Sequence, residues 1–302
     1  MFLSRLFGRR DEGAPPGPRP TVELSAISAD PSSPEMRVVS GVATDTGCVR
    51  EINEDSIQVV RPESADELLR RGVLAVVCDG MGGHEAGEVA SRLAIEAFTR
   101  QVHTDDSEPR RVLVRAMEAA NHAVVDAGQR ESRLKGMGTT CTAILLRQGM
   151  AWCAHVGDSR CYMLRDRELF LMTEDHSAVM ELVRRGAITL EEARHHPDKN
   201  VISRALGSHK DVAVTTWPQP LVVRPGDRFL VCSDGLYDLV TDDQIREAMV
   251  AAAPQDACDR LVAMAREHGG FDNISVAILA MGEPPAQPSG PPRETRVVEV
   301  PS

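Results

Sequence analysis

Five aspartates and one glutamate stand at the ends of apolar runs, where an ionised carboxylate is costly. Asp79 closes VLAVVCD (73–79) and Asp234 closes FLVCSD (229–234). Asp158 follows AWCAHV (151–156), Asp272 precedes ISVAILAM (274–281), and Glu54 and Asp55 stand just ahead of SIQVV (56–60). A carboxylate beside a hydrophobic strand loses hydration and needs a cation or strong hydrogen bonds in exchange. Only Arg50 and Arg160 are close companions in sequence. Hard divalent cations with oxygen ligands, Mg2+ or Mn2+, would neutralise such a set. Singly, each position has a plainer explanation. Asp79-Gly80, Asp234-Gly235 and Asp272-Asn273 suit turns, and Asp158-Ser159-Arg160 suits a local salt bridge. Their joint placement at strand ends favours metal.

The elements that must position these groups come in blocks. VVSGVAT (38–44), SIQVV and VLAVVCD are expected strands, the last apolar enough to be buried on both faces. Two helices follow, one from about Gly87 to Gln101 and one from Ser107-Glu108-Pro109 to Gly128, with Ser107 as its cap. Strands are then expected at TTCTAILLR (139–147), AWCAHV, CYMLR (161–165) and ELFLM (168–172), with tight turns at Gln148-Gly149 and Asp166-Arg167. A more helical section, 177–195, leads to the strands DVAVTTW and RFLVCSD. A helix pair, one opened by a Thr241/Gln244 capping box, precedes ISVAILAM. Strand runs broken by paired helices favour α+β layers, with sheets sandwiched by helices.

Residues 1–37 and 283–302 are expected to be flexible, Pro-rich extensions around a folded body at 38–282. Residues 1–10 mix Phe2, Leu3, Leu6 and Phe7 with arginines. They suit a frayed end better than a signal peptide, with weak membrane or partner docking as the alternative. No apolar run approaches the ~18–20 residues of a transmembrane helix. The formal charge of −11 argues against nucleic acid as a partner. The seven cysteines include no C-x-x-C pair and mostly sit in apolar runs, as buried free thiols in a reducing cytoplasm would.

Several short segments together resemble the PPM, or type 2C, serine/threonine phosphatases, especially the bacterial branch. They are Arg50-Glu51-Ile52-Asn53-Glu54-Asp55, Asp79-Gly80-Met81-Gly82-Gly83-His84 with Ala86-Gly87-Glu88, and Gly138-Thr139-Thr140. Val156-Gly157-Asp158-Ser159-Arg160, Ser233-Asp234-Gly235-Leu236 and Asp272-Asn273-Ile274-Ser275 complete the set, in family order. The resemblance implies an α+β fold, a four-layer α-β-β-α sandwich with two antiparallel sheets flanked by helices. It also implies two cations: Asp79 bridging them, Asp234 and Asp272 on the first, the Gly80 carbonyl and (through water) Glu54 on the second. Asp55 would support that shell, and Asp158 would hold a third, weaker ion. The section 177–207 resembles the family's mobile flap.

The activity so implied is hydrolysis of phosphoserine and phosphothreonine in proteins, by in-line attack of a metal-bridging hydroxide without a phosphoenzyme. Arg50 would hold two phosphate oxygens in its planar fork. His84 is the nearest candidate to protonate the leaving oxygen, although it suits a loop histidine ordering the Gly-rich turn nearly as well, and a metal-bound water is a rival donor. His155 reads as a core histidine. Cysteine-based phosphatase chemistry, which needs a C-x5-R phosphate cradle, is not expected. The partners implied are phosphorylated proteins, a cognate serine/threonine kinase and that kinase's substrates, and a monomer is expected. Two alternatives are a metal-stabilised phosphoprotein-binding module with vestigial activity and a small-molecule phosphomonoesterase or nucleotidase. DGMGGH lacks the Lys-Ser/Thr of a P-loop and does not fit G-x-G-x-x-G, which weakens the nucleotidase.

Overall fold

The apolar runs become strands of two antiparallel sheets, and the amphipathic stretches become the helices that cover them. The computed structural model describes residues 38–82, 85–194 and 196–282. Both terminal extensions, with the amphipathic stretch 1–10, lie outside the described residues. In chain order the first elements are β1 (Val38–Asp45), β2 (Asp55–Val60), α1 (Ala65–Arg71), β3 (Val73–Met81), α2 (Glu85–Thr104) and α3 (Pro109–Arg130). Next come β4 (Gly138–Thr139), β5 (Cys141–Arg147), β6 (Met150–Val156), β7 (Arg160–Arg165) and β8 (Glu168–Leu171). Then follow α4 (Ala178–Arg184), α5 (Leu190–Arg194), β9 (Thr215–Thr216), β10 (Leu221–Val222) and β11 (Arg228–Cys232). The last are α6 (Asp234–Tyr237), α7 (Asp242–Ala251), α8 (Pro254–Glu267) and β12 (Ile274–Met281).

One sheet has the order β1-β12-β11-β7-β8, and the other β10-β6-β5-β3-β2. Side-chain alternation explains why they stack. Along β3, Leu74, Val76 and Cys78 enter the core under α2 and α3, whereas Val73, Ala75 and Val77 enter the layer between the sheets. Along β11, Phe229 and Val231 join that inter-sheet layer, and Leu230 and Cys232 join the core under α7 and α8. Strands apolar on both faces must be covered on both, so helix, sheet, sheet and helix follow.

Such strands specify register weakly, because a one-residue slip exposes no polar face. The hairpin turns supply it. Gln148 and Gly149 have φ of 52° and 71°, and Asp166 and Arg167 have 52° and 65°. These are the left-handed values that two-residue turns between antiparallel strands require.

Four local expectations change. Glu108, not Ser107, caps α3, because its two carboxylate oxygens take the amides of Arg110 (3.0 Å) and Arg111 (3.2 Å). That helix runs on through Gly128 to Arg130. The expected strand 139–147 breaks at Thr140, whose hydroxyl and amide turn to Asp79. DVAVTTW contributes only Thr215–Thr216, since Val212 and Val214 pack on the helix-side core instead of extending the sheet edge. The Thr241/Gln244 capping box is present.

A buried ion pair braces the far end of β11. Asp227 accepts from Arg165 Nε (2.8 Å) and Nη2 (2.6 Å) and from the Arg224 amide (2.6 Å). The two side chains are only 11% and 2% exposed. Asp227→Ala leaves a guanidinium buried without its counter-charge, and should cost about 3–5 kcal/mol. Urea unfolding checks this; a loss below about 1 kcal/mol would show that the pair is dispensable.

Candidate active site

The register of β2 on β3 sets Asp55 directly opposite Asp79 at one end of their sheet. Asp79 is held through its main chain: its amide donates to Thr140 Oγ1 (2.9 Å), and its carbonyl accepts from Thr139 Oγ1 (2.8 Å) and the Thr140 amide (2.9 Å). The Thr140 hydroxyl also meets Ser159 Oγ at 2.7 Å, next to Asp158. Gly80 must be glycine, because a Cβ there would lie 2.1 Å from the Gly87 carbonyl and 2.5 Å from that of Glu54. This close approach draws the Glu54 segment and α2 onto the end of β3.

The second sheet supplies the other half. Ser233 Oγ donates to Asp55 Oδ2 at 2.7 Å and accepts from the Ser275 amide at 3.0 Å, so one hydroxyl ties the sheets together beside Asp234. Asn273 holds the loop carrying Arg50 and Glu54. Its Oδ1 accepts from the Glu54 amide (2.8 Å), and its Nδ2 donates to the carbonyls of Thr46 (2.9 Å) and Ile52 (3.0 Å). Arg50 Nη2 meets Asp272 Oδ2 at 2.6 Å at the solvent rim. Sequence reasoning quoted Thr140, Ser233 and Asn273 within motifs but gave them no role. Ser233 and Asn273 adjoin Asp234 and Asp272 in sequence, which was the available signal; Thr140 had no such neighbour.

Electrostatics shows that the carboxylates share one site. Burial pushes Asp79 well above the usual carboxylate range, and Asp55, Asp234, Asp158 and Asp272 push it further. Asp234 is raised likewise by burial and then by Asp158, Asp272, Asp238 and Asp55. Asp55 is pushed up to about 6 by burial, against the hydrogen bond from Ser233. Asp158 is pushed up to about 7 by burial and by Asp175, with Arg160 opposing. Glu54 is raised by burial, with Arg50 opposing, and its Oε1 is buried without a hydrogen-bond partner. Burial and neighbouring carboxylates are the largest influences on Asp79 and Asp234, and Arg50, whose charge also feels Asp234, is paired with Asp272 at the rim. This set fits divalent cations. No three ligands converge into a ready-made cage for one ion among the described residues, and Asp272 turns to Arg50. Such an open arrangement suits cations that keep several waters among their ligands.

The plain turn-and-salt-bridge explanation of Asp158 does not hold. Arg160 is committed to Asp175, with Nε–Oδ1 at 3.0 Å and Nη2–Oδ2 at 2.7 Å, and lies 3.6 Å over the Tyr237 ring. Tyr237 donates to the Asp158 carbonyl (3.2 Å), so the main chain is fixed and the carboxylate left free of ion pairs. His155 is buried, meets the Glu174 carbonyl at 3.0 Å and stacks on His176 at 4.6 Å, a core role as expected. His176 takes the Gly157 amide on Nδ1 (3.0 Å), and burial lowers its pKa to about 3, so it is neutral with its proton on Nε2. His84 lies outside the described residues. Two C-x5-R spacings do occur, Cys141 to Arg147 and Cys161 to Arg167. Each starts from a fully buried thiol and runs along a strand, the second ending in the turn after β7, so neither forms a phosphate cradle.

The family model described as Protein phosphatase 2C matches residues 51–264. The chain belongs to this family. "Serine/threonine protein phosphatase PstP" of Mycobacterium tuberculosis is 41% identical over 239 residues, covering 78% of this chain and 43% of that protein. This chain therefore matches less than half the length of the mycobacterial relative. "Serine/threonine phosphatase stp" of Listeria monocytogenes is 36% identical over 244 residues, covering 78% of this chain and 93% of that one. A crystal structure of the catalytic domain of PstP with 2 manganese ions matches with a TM-score of 0.70 at 37% identity, over 82% of this chain and 99% of that one. The expected α+β fold with two face-to-face antiparallel sheets is the fold of these phosphatases. Among the described residues, no helix is long and apolar enough to cross a membrane.

Proposed function

We propose that this member of the protein phosphatase 2C family hydrolyses phosphoserine and phosphothreonine in proteins, using divalent cations held by the carboxylate ring. The observation that carries this is the convergence of Asp55, Asp79, Asp158, Asp234 and Asp272 from both sheets, each raising its neighbours' pKa, with Arg50 at the rim. Asp79 would bridge two ions, with Asp234 and Asp272 on one and the Gly80 carbonyl on the other. The unpartnered Glu54 Oε1 would reach the second ion through water, and Asp55 would hold Asp234 in place through Ser233. When bound, such ions acidify water and polarise a phosphoryl group. Turnover of a phosphothreonine peptide with Mn2+, compared with the same protein in EDTA, tests the reading. Metal-independent turnover, or none with any phosphopeptide, would overturn it.

Arg50 would bind the phosphoryl oxygens, and in the structure it spends its fork on Asp272. Charge-assisted hydrogen bonds of about 1.5–3 kcal/mol imply a KM about 10–100-fold higher in Arg50→Ala. Metal affinity should be unchanged or tighter, because Asp272 is released. Steady-state kinetics and Mn2+ calorimetry check both, and a wild-type KM would place Arg50 outside the site.

Residues 177–207 would choose among protein substrates. The segment is anchored at its end, where Leu206 and Thr139 exchange main-chain bonds and Asn121 Oδ1 takes the Gly207 amide (2.9 Å). Replacing it with a relative's segment should change phosphopeptide preference and spare p-nitrophenyl phosphate hydrolysis. Equal loss on both would make it part of the catalytic frame.

A further inference from the structure

Most exposed large apolar side chains on this protein are scattered, which is ordinary. Val49 and Phe271 are different. They are 63% and 62% exposed and belong to the two loops that meet at the rim of the site. The Cys48 amide donates to the Gly270 carbonyl at 2.7 Å, and Arg50 pairs with Asp272 at 2.6 Å. Positions 49 and 271 therefore sit side by side between two fixed contacts, one residue from the arginine proposed to hold phosphate. The Phe271 ring is also seated. A Cβ on Gly269 would meet its ring atoms at 2.5–3.0 Å, so the ring lies over bare glycine backbone. Ile52, 38% exposed, stands two residues beyond Arg50, with its carbonyl held by Asn273.

We infer that Val49 and Phe271 form an apolar shelf that receives a nonpolar side chain of the substrate next to its phosphorylated residue. The inference rests on Arg50 binding the phosphoryl group. An extended substrate advances about 3.3 Å per residue, so with its phosphate at Arg50 a neighbouring residue comes within reach of positions 49 and 271. Two large apolar groups left in water there gain by covering, and a polar or charged substrate neighbour would not cover them favourably. The substrate class is therefore a phosphopeptide segment with an aliphatic or aromatic residue flanking the phosphoserine or phosphothreonine.

The test compares paired phosphothreonine peptides, with leucine or aspartate at the flanking position, and p-nitrophenyl phosphate as a substrate that cannot touch the shelf. The wild-type full chain with Mn2+ should prefer the leucine peptide by about ten-fold in kcat/KM, the scale set by one apolar contact. Phe271→Ser and Val49→Ser should each remove most of that preference and leave p-nitrophenyl phosphate turnover within about two-fold. Phe271→Leu should restore the preference. Equal turnover of both peptides by the wild type overturns the shelf while leaving the phosphatase reading intact. So does a parallel loss on p-nitrophenyl phosphate, or a change in sedimentation with an unchanged peptide ratio, which would mean that a second copy covers the patch. Hydrolysis of p-nitrophenyl phosphate without any phosphopeptide turnover would instead overturn the protein-phosphatase reading itself.

Discussion

Asp79→Asn should lose about 10^3-fold or more in kcat with Mn2+, and in EDTA the same variant should melt higher than the wild type. Both halves come from one feature. The carboxylate is buried among four others, so its charge is held against burial and repulsion. Replacing it by the amide relieves that cost and removes a group proposed to bridge two ions, worth several kcal/mol in the transition state. The bonds from Thr139 and Thr140 run to the Asp79 main chain and survive the change. Asp234→Asn should behave alike. Calorimetric Mn2+ titration, turnover and thermal melting on one preparation decide the matter. A variant that keeps its activity refutes the bridging role, and one that loses stability as well makes Asp79 a structural residue.

Asp158→Asn should fold normally, keep two tighter ions and lose most turnover at ordinary Mn2+ concentrations, with partial recovery as Mn2+ is raised. The carboxylate is buried yet unpaired, since Arg160 is bound to Asp175 and Tyr237 donates only to the Asp158 carbonyl. A third ion with so few protein ligands would be weakly held and exchange easily. Metal stoichiometry separates this from a structural role. If the variant melts earlier but keeps its activity per folded molecule, the third ion is not held there.

The carboxylates were legible because an acidic residue after a buried run is conspicuous, and the strands were legible because those runs are apolar on both faces. The groups that orient them were not. Thr140, Ser233 and Asn273 act across 61, 178 and 219 residues of sequence, and nothing local shows which distant group each one reaches. The α3 cap was misassigned because serine and glutamate stand side by side, and only coordinates show which oxygen reaches the amides. Helix α1 escaped because Ala65–Arg71 buries no side chain and so has no apolar stripe to reveal it. The Asp158–Arg160 salt bridge, the plainer alternative to metal at Asp158, rested on proximity alone, and Arg160 instead takes Asp175, fifteen residues on.

The hydroxyl of Ser233 joins a carboxylate on one sheet to the backbone of the other. Half of the ring is thus carried by each sheet, and neither half is a working unit. Proteins commonly open in parts, shedding a helix or an edge while the remainder persists. Here, any fluctuation that parts the sheets divides the ring before it unfolds either one. On the proposed reading, turnover therefore needs both sheets in place, and an opening that parts them ends it while each sheet is still folded.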